Sequence, residues 1–226
     1  MINTNYHIDI AKTLIKLILA RGVRKSYSQH GEDIIIQSFL GKRPHGVYVD
    51  VGAFHPIQYS NTYALYRRGW KGIAIDPNPR TRLLFKIFRP RDNFVQRGVS
   101  SQQETRTYRE YSDPAYNTAS DEQAREWEQQ NITLLRSKPL DLCPLSEIVA
   151  QYGVTSIDFL SVDVEGLDLE VLSSHDWTIK PRVVVVESHQ FDPSNPSQDD
   201  IYTFMVQRGY VLTGMAKYSL IFVPRT

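Results

Sequence analysis

"VYVDVGAFHPIQYSNTYALYRRGW", residues 47–70, is the stretch from which the fold can be read. Apolar residues run into Asp50, a single glycine follows at Gly52, and a loop leads to Ser60, Asn61 and Thr62, residue types that begin helices. Strand, acid, glycine, loop and helix in that order is how α/β proteins grip nucleotide-like ligands. A dinucleotide site would need the G-x-G-x-x-G pattern, whose glycines admit a pyrophosphate to the backbone and a helix N-terminus. Here Ala53, Phe54, His55 and Pro56 follow the glycine, and Pro56 has no N–H to donate. No G-K-[S/T] phosphate loop is present either. The expected ligand therefore carries no phosphate cluster at this loop, which argues against a nicotinamide-dependent oxidoreductase.

Outward from this unit, strand and helix patterns alternate. "GIAID" (72–76) reads as strand two, "RTRLLFKIF" as a helix, "NFVQRGVS" (93–100) as strand three and "PLSEIVAQYG" as a helix from Pro144 to Gly153. "IDFLSVDV" (157–164) is strand four, and "RVVVVES" (182–188), apolar throughout, is strand five, buried on both faces. After a helix ending at Gly209, "YVLTGMAKYSLIFVP" reads as two strands around a glycine-containing turn. The expectation is one α/β domain over residues 1–226, a doubly wound, mostly parallel sheet closed by an antiparallel C-terminal hairpin. Helices fill residues 1–41, among them an apolar stripe of Ile10, Leu14, Leu17 and Ile18. Residues 101–139 break the rhythm with a charged strand pattern, "ETRTYREY", and a polar helix pattern, "SDEQAREWEQQ". That is long for a plain connection and is read as a lid-like insertion over the substrate.

Composition narrows the function classes. With 226 residues the chain buries a full core unaided, and its net charge of +1 points neither to nucleic acid nor to an anionic membrane. A single cysteine, Cys143, forms no internal disulfide and fits a reducing, cytoplasmic setting. The apolar run at 8–20 is interrupted by Lys12 and Lys16 and is too short to span a bilayer, so no integral membrane association is expected.

The strand ends supply acids: Asp50, Asp76, Asp163 and Glu165. Asp76 falls about twenty residues beyond Gly52, the spacing at which a Rossmann-type acid accepts from ribose hydroxyls. A ligand with a ribose diol, an ammonium and a positive sulfur suits such carboxylates, and S-adenosylmethionine is that ligand. Gly52 allows close approach of its methionyl part, and Asp50 lies near its amine. "YSQHGEDIIIQSFL", "YVDVGAFHPIQYSNTYALYRRGWKGIAIDPNP", "IDFLSVDVEGLDLEVL" and "VVVVESH" together resemble the FkbM family of S-adenosylmethionine-dependent methyltransferases. The resemblance spans residues 27–190 in four ordered blocks. It implies a Rossmann-like class I methyltransferase fold and O-methylation of sugars, polyketides or similar secondary metabolites. It also implies that Gln29 or Glu32 closes over the cofactor. Asn61, Thr62, Pro77 and Ser100, at the edges of the same loops, complete the expected cofactor set with Asp50, Gly52, Asp76 and Asp163.

Methylation of an alcohol needs the hydroxyl proton removed, by a general base or through a metal that lowers its pKa. His189, just beyond strand five, is the expected base; Glu187 shares its face of the strand and orients it, and Asp163 reaches the same place from strand four. The same three side chains are the alternative ligand set for a divalent ion such as Mg²⁺. Tyr108, Tyr111, Tyr116 and Trp127 of the insertion offer flat faces to a small-molecule acceptor, a sugar, glycan or secondary metabolite. The rival reading is a module that binds the cofactor and transfers nothing.

Overall fold

The structure is a computed structural model that describes residues 24–225. The stripe at 8–20 lies outside the described residues. The elements, in order, are α1 (Glu32–Leu40), β1 (Val47–Val51), α2 (Tyr63–Arg67), β2 (Lys71–Ile75), α3 (Pro79–Phe88), β3 (Asn93–Val95) and β4 (Gly98–Val99). There follow β5 (Glu104–Tyr111), α4 (Asp121–Gln129), β6 (Leu134–Cys143), α5 (Leu145–Gln151), β7 (Phe159–Val162) and α6 (Asp168–Ser173). The chain closes with β8 (Val183–Glu187), α7 (Asp200–Gln207), β9 (Tyr210–Ala216) and β10 (Ser219–Pro224).

Seven strands form one sheet in the order β3-β2-β1-β7-β8-β10-β9. The first five are parallel; β10 runs antiparallel to both β8 and β9. The near-continuous apolar runs of β1, β2, β7 and β8 follow from burial of both sheet faces. Along β8, Val184 and Val186 pack with Leu145, Ile148, Val171, Leu172 and Met205 on one face. Val183 and Val185 pack with Ile36, Leu65, Tyr66 and Trp70 on the other. Strand order reverses at β1, which has β2 on one side and β7 on the other, so the crevice beyond the carboxyl ends of these strands is the natural ligand position.

The structure corrects two expectations. Residues 93–100 do not form one strand. The chain leaves the main sheet after Val95, crosses Gln96 and Arg97, and enters a second sheet at Gly98. That second sheet has the order β4-β6-β5, with β5 and β6 antiparallel over their whole length. The segment also does not end at residue 139, because β6 continues to Cys143 and pairs with β4 next to the core. Ser120 caps α4 by accepting from the Gln123 N–H at 3.2 Å.

Candidate active site

A cavity of about 440 Å³ opens where the two sheets meet, within the ~300–1,000 Å³ usual for small-molecule sites. The loops after β1, β2, β7 and β8 form one wall, and β4, β5, β6 and the segment 113–119 form the opposite one.

Gly52 begins the first loop at φ +82°, a left-handed backbone that glycine adopts without steric penalty. A Cβ there would fall 1.6 Å from the Asp163 carbonyl oxygen. The glycine is thus demanded first by the neighbouring strand end. Its own N–H and that of Ala53 donate to the Ile75 carbonyl at 2.9 and 3.0 Å, binding the loop to the end of β2. Asp76 lies in that corner, 7 % exposed, and accepts from the Phe54 N–H at 2.9 Å and the Asn78 N–H at 2.7 Å. Burial pushes its pKa up to about 6 against those bonds.

Beyond β7 the chain turns through Glu165 (φ +53°) and Gly166 (φ +95°), two left-handed residues in succession. Asp168, at the start of α6, holds this turn by accepting from the N–H groups of Val164 and Gly166 at 3.1 and 3.2 Å. The turn swings Glu165 toward the end of β8, where one ligand atom each of Glu165, Glu187 and His189 lie within 4.8 Å of one another. His189 Nε2 is 3.3 Å from a Glu187 carboxylate oxygen, and its ring packs at 4.5 Å against Tyr218. That bond to Glu187 raises the imidazole pKa above its ordinary value, and burial weakens the effect.

The floor is crowded with acid. Asp163 is exposed to the cavity, and desolvation by the surrounding protein together with Glu187, Asp168 and Glu165 raises it well above its ordinary value. Burial would raise the neighbouring Glu187, but His189, Asp163 and Lys217 hold it below its ordinary value. Desolvation and the neighbouring carboxylates push Glu165 up to about 8 and Asp168 to about 6. Lys217, at the β9–β10 turn, reaches the same cavity.

Of the residues expected at the site, Gln29, Gly52, Asp76, Pro77, Asp163, Glu187 and His189 line the cavity. The others stand behind its wall. Asp50 is buried and accepts from Thr62 Oγ1 at 2.5 Å, while Asn61 donates to Ser161 Oγ at 3.1 Å. Both bonds serve the packing of the loop between β1 and α2 on β1 and β7. Ser100 is buried and donates to the Gln102 carbonyl; Glu32 is buried between the His30 N–H and Ser219 Oγ. Sequence reasoning noted Glu165 as a strand-end acid but gave it no part in the site. Its signal was the spacing of acids in "DVEGLD" around a glycine, 163–168. On the opposite wall Tyr108, Tyr116 and Trp127 line the cavity, the last two edge to face at 5.0 Å; Tyr111 does not.

Comparison with known proteins agrees with this geometry. The profile of the methyltransferase FkbM domain matches residues 50–212, from the end of β1 into β9. Among solved structures, the methyltransferase FkbM from Methylobacillus flagellatus KT is similar in fold, with a TM-score of 0.54 at 11 % identity. The superposition covers 87 % of this chain and 48 % of the other, so this chain spans about half the length of that relative. No curated protein matches the sequence. Because the profile covers most of the chain, from the end of β1 into β9, this protein belongs to the FkbM methyltransferase family.

Proposed function

We propose that the protein is an S-adenosylmethionine-dependent O-methyltransferase acting on a hydroxyl of a sugar or secondary metabolite. The observation that carries this reading is the Glu187–His189 pair in the same cavity as Asp76. The donor set fits the cofactor. A carboxylate has about four acceptor positions, and Asp76 uses two of them on backbone N–H groups, leaving capacity for a ribose diol. Asp163, Glu165, Asp168 and Glu187 crowd one side of the cavity, where burial and mutual repulsion raise the pKa of the first three. A ligand with an ammonium and a sulfonium is favoured there because its positive charge lets them ionise. Pro77, Val99 and Leu142 supply apolar lining for the adenine, with the Asn78 amide beside them. When bound, the cofactor supplies an electrophilic methyl group.

The chain's own task is then to align an acceptor and take its proton. Alignment alone contributes on the order of 7–11 kcal/mol in favourable systems. Glu187 holds His189 Nε2, which leaves Nδ1 to receive the hydroxyl proton, and the carboxylate stabilises the imidazolium that results. Tyr116 and Trp127 form the acceptor-facing wall, and segment 113–119 covers the site as a lid.

A second reading has its own observation. The convergence of Glu165, Glu187 and His189 within 4.8 Å also suits a divalent cation, which would lower the hydroxyl pKa in place of the imidazole. Calorimetric titration with S-adenosylmethionine and S-adenosylhomocysteine, with and without Mg²⁺, followed by a screen of hydroxylated acceptors, tests both. Micromolar cofactor binding with turnover in chelator supports the base; turnover that needs Mg²⁺ supports the ion. Absence of cofactor binding under every condition refutes the assignment.

A further inference from the structure

The net charge of +1 conceals a local excess. Residues 79–91, "PRTRLLFKIFRPR", carry Arg80, Arg82, Lys86, Arg89 and Arg91 and no acid. Arg89 turns inward, fully buried and paired with Asp92 at 2.6 Å. Thr81 and Phe85 form the buried face of α3. The outer face is different. Leu83 and Ile87, one turn apart, are 61 % and 59 % exposed, and Phe88 beside them is 49 % exposed. Arg82 and Lys86 run parallel to that strip one residue earlier, and Arg80 closes its other side, all three exposed. None of these three cations makes an ion pair among the described residues. An aliphatic strip edged by unpaired cations is the surface an interfacial helix offers to lipid: apolar tips enter the acyl boundary while the cations meet anionic headgroups.

We propose that α3 docks the protein on an anionic membrane surface through Leu83, Ile87 and Phe88, with Arg80, Arg82 and Lys86 on the lipid headgroups. Charge complementarity selects this occupant over a second copy of the chain. A two-fold interface sets one patch against itself and would bring both sets of cations together. No described helix is long and apolar enough to cross a membrane, so the contact is peripheral.

The test is co-sedimentation of the full chain with vesicles of phosphatidylcholine alone and of phosphatidylcholine containing phosphatidylserine. Binding is expected only to the anionic vesicles, weakening as salt rises. Roughly fivefold in affinity is expected to disappear with each cation neutralised, as in Arg82→Gln and Lys86→Gln. Leu83→Asp with Ile87→Asp abolishes binding, while the melting temperature and S-adenosylhomocysteine affinity stay unchanged, since these side chains touch neither core nor cavity. Four outcomes overturn the proposal. They are no vesicle binding at low salt, equal binding to neutral vesicles, binding that survives the Leu83/Ile87 pair of changes, and a dimer dissolved by that pair in a protein that ignores vesicles.

Discussion

Gly52→Ala probes the junction on which the cavity depends. Two costs arise, and the structure separates them. The first is conformational, since an alanine at φ +82° sits in the left-handed region at about 1–2 kcal/mol. The second is steric. The new Cβ would lie 1.6 Å from the Asp163 carbonyl oxygen, where real contacts do not fall below 3.0 Å, so one strand end must retreat by more than an ångström. That oxygen is held against rotation, because the N–H of the same peptide unit, that of Val164, donates to the Asp168 carboxylate at 3.1 Å. Forced overpacking of this kind adds about 1–3 kcal/mol, for a total of roughly 2–5 kcal/mol. At ~2–4 °C per kcal/mol for a chain of this size, the melting temperature falls by about 4–20 °C. Gly209→Ala is the matched control, with φ +80° and no atom within 4 Å of the added carbon. It bears the conformational cost alone and loses only about 2–8 °C. Thermal unfolding of the two variants side by side, with calorimetric titration of S-adenosylhomocysteine, gives the answer. Equal melting temperatures for Gly52→Ala and Gly209→Ala would refute the steric argument. So would an unaltered cofactor affinity in Gly52→Ala, because the residue that must move is Asp163.

Asp76→Ala weakens cofactor affinity about 5- to 150-fold, the equivalent of ~1–3 kcal/mol for lost hydrogen bonds to hydroxyls; unchanged affinity by calorimetry removes Asp76 from the ribose site. His189→Ala leaves cofactor affinity intact and lowers kcat about 10²–10⁴-fold, and full activity in that variant excludes the imidazole as base. The base must be unprotonated, and Glu187 raises its pKa, so activity climbs with pH through a value above the ordinary 6.5. Glu187→Gln moves that climb to lower pH, and a profile that stays in place contradicts the pairing. Stability without cofactor has the opposite dependence. Glu165 has a folded pKa of about 8 against an ordinary 4.5, so its stabilising contribution is present at low pH and lost as pH rises through about 8. The melting temperature therefore increases as pH falls from 9 to 7, by at most about 1 kcal/mol per pH unit in stability terms. Below 6.5 the neutral, buried His175 begins to oppose the trend. A melting temperature flat or falling over that window rejects the reading of the acidic floor.

The parallel sheet was legible because burial on both faces leaves its strands as unbroken apolar runs, of which Val183–Val186 is the plainest. Asp76 and Gly52 were legible because the ends of such strands are where ligands sit. The second sheet was not. β6, "LLRSKPLDLC", is largely exposed, carries Pro139, and shows neither a helical period nor a clean alternation. Only its pairing with β5 makes it a strand. The split of residues 93–100 was hidden because Val95 and Val99 are both buried, although in different sheets. Asp50 and Thr62 have the residue types of a ligand site, but they satisfy each other within the wall. Glu165 depends on two successive left-handed residues, and residue type alone specifies only the glycine of that pair.

The two-residue passage through Gln96 and Arg97 has a consequence for engineering. The small sheet is tied to the main one by that passage, and at the end of β6 Cys143 packs in the same core as Val49, Val51 and Leu145. Such a sheet is a fixed bracket, and a hinge would have to lie elsewhere. What remains exchangeable is the short loop hung from it at one bridge, where Arg109 and Thr118 trade backbone hydrogen bonds and Asn117 receives the Tyr111 N–H. Grafting residues 112–117 between relatives would alter the acceptor wall and spare the frame, whereas transplanting the whole span from β4 to β6 would cut the frame itself.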